Sequence, residues 1–231
     1  MHMHTLHWLW TRAADPITLR RSDDKQVTRK ALMSAQRNEP RPNSRLPVLT
    51  EEMMNERQRH LLEAIKSGPR GKFTYGGPFA VYLHAPEFGV LAQELGAFCR
   101  FKTKLPPRLS EFAILVTAQH WKAQYEWHAH AAIAERAGVT PETIADLRAG
   151  RVPNTAPEDE RALYDFITEL YQTRRVGDAN YARINAMLGD AATVELVGLL
   201  GYYALVAMTL NVFRMLPPAE TPLAFDESGA G

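Results

Sequence analysis

The sequence predicts an all-α fold. Helix start and stop signals recur along the chain from Thr50 onward, and no run of useful length alternates apolar and polar residues as a half-buried strand would. A third observation is the run 196–213, LVGLLGYYALVAMTLNVF. It is apolar on every face, the pattern of a helix at the centre of a bundle or at an interface.

Each element has its own warrant. Residues 1–44 are rich in Arg, Asp, Ser, Asn and Pro, and NEPRPNSRLP reads as a linker. This stretch is expected to be a disordered extension, apart from a domain over 45–218 and a C-terminal tail over 219–231. His2, His4 and His7 lie in it, and an unstructured terminus is a poor place for a metal site. Thr50 is positioned to cap a helix that opens with Glu51 and Glu52 and stops at Gly68. SGPRGKFTYGGP is a Gly/Pro loop, long enough to be more than a connector, without the Gly-Lys-Ser/Thr of a phosphate loop. After the short apolar turn FAVYLH, Pro86 fits the first position of a helix running to about Arg100. LPPR breaks the chain, and a helical segment begins at Arg108 or Ser110 and closes at Gly138. Thr140-Pro141-Glu142 opens a short helix that stops at Gly150. Glu158, Asp159 and Glu160 favour the start of the next helix, and Arg174 and Arg175 its end, as the helix dipole requires. Gly177-Asp178 and Gly189-Asp190 each introduce a further helix, the second being the apolar one.

Composition excludes several function classes. The net charge is +1, so there is no basic footprint for nucleic acid. The apolar run carries two glycines, two tyrosines, Thr209 and Asn211, so no membrane span is expected. Cys99 is the only cysteine, which excludes an intrachain disulfide and a CxxC redox pair. A reducing, cytoplasmic location follows as an expectation.

The chemistry concentrates in RLSEFAILVTAQHWKAQYEWHAHAAIAERA, residues 108–137. Glu126 and His130 are i and i+4, hence neighbours on one helical face. His128 points elsewhere. Glu111 precedes His130 by nineteen residues, roughly 28 Å along one straight helix. If Glu111 shares a site with His130, the helix must break between them, near Trp121 to Gln124. Without a site, Glu126 and His130 form a solvated pair, Glu111 a buried acid paired to Arg108 or Arg136, and His120 and His128 ordinary packing residues.

From Leu46 to Pro217 the chain resembles the carboxymuconolactone decarboxylase family, within the alkylhydroperoxidase D-like superfamily. The resemblance rests on LHAPEFGVLAQELGAF, on LPPRLSEFAILVTAQHWKAQYEWHAHAAIAERAGV and on VELVGLLGYYALVAMTLNVF. Arg108-x-x-Glu111, with His130 nineteen residues on, fits the family pattern. The resemblance implies a bundle of helical hairpins, assembled as a homotrimer or homohexamer. Peroxidase members of the superfamily carry a CxxC pair whose second cysteine lies four residues before the histidine. Those positions are Ala123 and Glu126 here, so peroxiredoxin-type activity is disfavoured.

What remains is cofactor-free acid–base chemistry on a small carboxylated or lactone-like metabolite, such as arises in aromatic catabolism. His130 and Glu126 would form the catalytic pair, with Glu111 as a second carboxylate. Arg108 or Arg100 would hold a substrate carboxylate, while Tyr125, Tyr202, Tyr203 and Asn211 line the pocket. Two alternatives stay open. Glu126 and His130, with His120 or His128, could bind a metal, although the spacing is not that of a zinc helix. Alternatively, the chain is a non-catalytic helical oligomer.

Overall fold

The computed structural model describes residues 44–227, which form eight α-helices after a single 3-10 turn at Glu51–Met53. No strand occurs among the described residues. The expected extension, with His2, His4 and His7, lies outside them except for Ser44, as do residues 228–231.

Helix α1 spans Glu56–Ser67, five residues later than its first start signal. Thr50 makes no side-chain cap. The Asn55 side chain instead accepts the Gln58 amide at 3.0 Å, while the Gln58 side chain accepts the Asn55 amide at 2.9 Å. This reciprocal box satisfies two orphan donors, where a lone threonine would satisfy one. Helices α2 (Pro78–Tyr82) and α3 (Pro86–Phe101) each place proline in the first turn. Next come α4 (Pro107–His120), α5 (Gln124–Ala137) and α6 (Pro141–Arg148), the last capped by Thr140. Helix α7 covers Glu158–Thr173. Arg174 and Arg175 lie beyond its end rather than in its last turn, and Arg174 closes it in the left-handed conformation at φ 65°. Helix α8, Asp178–Val212, is broken at Gly189, whose φ of 75° only glycine adopts without strain.

Helix α4 is the centre. Every residue from Leu109 to Ala118 is buried, and the helix packs against α5, α6, α7 and α8. Each fully buried Leu, Ile or Phe contributes about 1.5–3 kcal/mol of transfer free energy. This core is also what fixes the angle of α5 on α4. A smaller cluster joins α1 to α2 and α3 through Leu61, Leu62, Ile65, Tyr82 and Leu83.

Among the described residues, α8 is the one helix long and apolar enough to cross a membrane, and half of its most apolar stretch is buried within the domain. One face (Leu196, Leu199, Leu200, Tyr203, Val206) enters the core, while Val194, Val197, Met208 and Val212 stay exposed. The stretch set apart as a tail packs back on the domain. Phe225 is buried edge-on against Trp127, and Arg148 donates to the Leu223 and Ala224 carbonyls.

Candidate functional site

The site is made by a hairpin. Helix α4 stops at His120, and its C-terminus is closed by two reversed bonds: Lys122 N–H to Gln119 O at 3.1 Å, and Ala123 N–H to Ala118 O at 2.9 Å. These define a Schellman closure, with Lys122 left-handed at φ 51°. The break falls where the nineteen-residue spacing requires it. Glu111 lies nine residues before the turn and His130 seven after it, heights of roughly 13 Å and 10 Å on antiparallel helices. The two side chains therefore meet. His130 Nδ1 and Glu111 Oε2 are 2.7 Å apart, and both residues are buried. With Glu111 as carboxylate, Nδ1–H donates to it, the imidazole tautomer is fixed, and Nε2 is left for chemistry.

Glu126 is brought to the same place but not into the expected pair. His130 is bonded to Glu111, across the hairpin. Both carboxyl oxygens of Glu126 are buried and have no hydrogen-bond partner among the described residues. Helical spacing makes i and i+4 neighbours, but the direction of the ring decides the bond, and the Glu111 carboxylate facing α5 captures it. Burial pushes the Glu126 carboxyl well above its ordinary value, which favours the neutral acid. Glu126 also occupies the position of the second cysteine in the peroxidase pattern.

Tyrosines extend from His130. The Tyr203 ring stands edge-on to His130 at 5.2 Å, and Tyr202 stands edge-on to Tyr203 at 5.3 Å. Burial pushes the Tyr203 and Tyr202 hydroxyls up, and those of Tyr82 and Tyr171 up to about 12, so all four remain neutral donors near pH 7. The Tyr82 hydroxyl is near Thr209 but makes no hydrogen bond of good geometry.

Four residues expected at the site make other contacts. Arg108 binds Asp159 and Glu160 and fastens α4 to α7, so it is not aimed at His130. Asn211 is exposed and donates to the Trp121 carbonyl at 2.7 Å, satisfying an orphan acceptor at the end of α4. Tyr125 lies against Gly76 and Gly77. A Cβ on Gly77 would come within 2.6 Å of its ring, so Tyr125 latches the Gly/Pro loop to α5. Arg100 is exposed and stacks on Phe101. His120 stacks on Tyr171 at 4.5 Å and His128 stands edge-on to Tyr125, so neither joins Glu126 and His130. Among the described residues, no three metal-ligating side chains converge.

Sequence reasoning missed Arg70 and Tyr82. Both lie in segments whose only signal was length or apolarity, the Gly/Pro loop and FAVYLH. Arg70 lies over the Phe79 ring at 4.7 Å, with Nε and Nη1 buried and unpaired among the described residues.

The sequence profile described as the carboxymuconolactone decarboxylase family matches residues 86–169, which hold α3 to α6, the hairpin and most of α7. Two solved structures share the fold. An uncharacterized peroxidase-related protein from Silicibacter sp. TM1040 superposes with a TM-score of 0.63 at 15% identity, over 79% of this chain and 95% of that one. The alkylhydroperoxidase AhpD core of an uncharacterized peroxidase-related protein from Ralstonia eutropha JMP134 gives 0.65 at 18% identity, over 78% and 94%. No curated protein matches the sequence. The chain thus has the alkylhydroperoxidase D-like fold.

Proposed function

We propose that this chain, whose residues 86–169 match the carboxymuconolactone decarboxylase family, is a cofactor-free acid–base lyase acting on a small carboxylated or lactone-like metabolite. The observation that carries the reading is the buried Glu111–His130 bond, with the unpartnered Glu126 carboxyl one helical turn before the histidine. In a decarboxylation, the bond from carbon to the carboxylate breaks and carbon dioxide leaves. Its electron pair moves into a neighbouring carbonyl to give an enolate, and the carbon then takes a proton. In this reading His130 Nε2 holds and delivers that proton, with the imidazolium stabilised by Glu111. A neutral Glu126 donates to the developing oxyanion, as a buried acid without a competing partner can.

The test is a screen of carboxymuconolactone-like acids and related ring-cleavage products for turnover, repeated with His130→Ala. The variant should lose about 10²- to 10⁴-fold in kcat/KM. A folded His130→Ala protein with full turnover removes His130 from the mechanism.

Thiol peroxidase activity is the weaker reading, although both structural neighbours are described as peroxidase-related. Cys99 is buried, and burial pushes its thiol up to about 11, so the nucleophilic thiolate is disfavoured. Any hydroperoxide turnover should survive Cys99→Ser.

The working unit of this proposal is a homotrimer or homohexamer. Phe88, Leu91, Leu95, Phe98 and Phe101 form an exposed apolar stripe along α3, and the outer face of α8 is also apolar. A second copy would cover both. Sedimentation showing only monomer at micromolar concentration would remove this part.

A further inference from the structure

Arg70 is the least explained charge in the domain. The Gly/Pro loop carries it inward, and Tyr125 holds that loop against α5. Its guanidinium lies over the Phe79 and Phe101 rings at 4.7 and 5.7 Å. Ring faces compensate a cation above them, but they accept nothing from its in-plane N–H groups. Nε and Nη1 are buried and have no hydrogen-bond partner among the described residues. A guanidinium so placed is costly unless an anion meets it.

The neighbourhood holds further polar donors close to Arg70. Gly96 of α3 lies beneath both the Tyr202 hydroxyl and Arg70 Nη2. A Cβ there would come within 2.0 Å and 2.8 Å of these atoms, so any side chain would displace them. Arg70 lowers and Glu126 raises the Tyr82 and Tyr202 hydroxyls, each as a smaller influence than burial. The Tyr82 hydroxyl is itself buried and unpaired. The Tyr202 hydroxyl accepts from the Arg70 guanidinium, which leaves Arg70 Nε, Arg70 Nη1 and the Tyr82 hydroxyl as donors without an acceptor among the described residues, and Tyr202 is linked through Tyr203 to His130.

We infer that Arg70 is the carboxylate-binding residue of this site, and that its ligand is a small monoanionic carboxylate with a flat, apolar body. Tyr202 and Tyr82 supply neutral donors to the same oxygens, while Phe79 and Phe101 flank the cation. Calling this ligand the substrate class rests on the acid–base reading above, whereas the binding itself does not. The bidentate fork of arginine suits two carboxylate oxygens in a way a lysine ammonium does not.

The experiment uses the full chain and benzoate as probe, with neutral benzamide as its control, followed by calorimetry. Wild type should bind benzoate and bind benzamide at least about 10-fold more weakly. Arg70→Gln should weaken benzoate about 10- to 100-fold, Arg70→Lys less, and Tyr202→Phe by about 3- to 10-fold. Circular dichroism checks folding. Should Arg70→Gln fail to fold, Arg70→Lys and Tyr202→Phe decide. Wild type that does not bind benzoate, or folded Arg70 variants that bind it unchanged, overturns the inference. The two proposals fail separately. If benzoate binding depends on Arg70 while His130→Ala keeps full turnover, the carboxylate site stands and the acid–base reading falls. If turnover depends on His130 while Arg70→Gln leaves both KM and benzoate binding unchanged, the reverse holds.

Discussion

Glu160 and Glu126 are equally hidden from solvent, and each lies in the first turn of its helix, yet the chain surrounds them in opposite ways. Glu160 meets the Arg108 guanidinium, which also grips Asp159, so the start of α7 is pinned to the start of α4. Burial still pushes the Glu160 carboxyl up, but Arg108 pulls it back. Nothing pulls Glu126 back; burial alone sets its state. A buried acid with a cation is a fastening. A buried acid with no partner lowers stability, and it persists where the cost serves a ligand or a reaction. The same contrast separates the two arginines: Arg108 is spent on its own fold, and Arg70 is not.

The largest effect should come from the unpartnered side. Glu126→Gln removes the acidic proton while keeping the shape, and turnover should fall by about 10²- to 10⁴-fold. Glu126→Gln combined with His130→Ala should cost little more than the worse single change, because groups acting as one unit lose activity non-additively. Full additivity in kcat/KM would mean that the two act in separate steps.

The paired side should respond in stability instead. Arg108→Ala leaves Glu160 buried without its cation, which costs about 2–3 kcal/mol once the partial exposure of Arg108 is allowed for. Urea unfolding should show that loss, while turnover per folded molecule stays within about twofold. A turnover loss as large as that of Glu126→Gln would return Arg108 to the active site and erase the contrast.

These assignments show what was legible in the sequence. The helices were, because caps, prolines and glycines act locally: Pro86, Thr140 and Gly138 each do what their type requires. The hairpin break was also legible, since Glu111 and His130 could meet no other way. The partner of His130 was not. Spacing along α5 pointed to Glu126, but the bond crosses to α4, and only tertiary packing sets the direction of a ring. Arg108 sits three residues from Glu111, and its long side chain still reaches α7. Asn211 looked like a pocket residue because it is polar in an apolar run, whereas its task is to satisfy the end of α4. Arg70 had no periodicity to announce it. Its role comes from a loop folding back over Gly96, which no local pattern encodes.

Stability should sharpen the comparison from the other direction. Glu126→Met replaces an unpaired carboxyl with an apolar chain of similar length, and should raise stability by about 1–3 kcal/mol at pH 7 while abolishing turnover. The pH dependence has a definite sign. The folded pKa of Glu126 lies above the unfolded one, so the folded state binds more protons between them. Wild type is therefore favoured at low pH and loses stability as pH rises above the ordinary carboxyl value, about 4.3. The advantage of Glu126→Met should be smallest near pH 4 and grow toward pH 8. An advantage independent of pH would mean that Glu126 ionises as freely in the folded chain as in the unfolded one.

The smallest effect belongs to the turn that holds both helices of the site in register. Lys122 adopts φ 51°, where a non-glycine residue pays about 1 kcal/mol. Glycine relieves that strain but gives the unfolded chain more freedom, which offsets part of the gain. Lys122→Gly also removes the Nζ contact 5.2 Å from the buried Phe225 ring, a cation–π pair with an exposed cation worth about 0.5 kcal/mol. These contributions nearly cancel, so Lys122→Gly should change stability by less than about 0.5 kcal/mol and leave turnover within about twofold. Lys122→Val cannot be accommodated so easily, because a β-branched residue is a true outlier in the left-handed region. It should destabilise by about 1–2 kcal/mol and, by shifting the hairpin, lower turnover as well. The pair is read by urea unfolding alongside turnover. If valine is tolerated as well as glycine, the Schellman closure does not set the distance from Glu111 to His130, and the burial of α4 alone does.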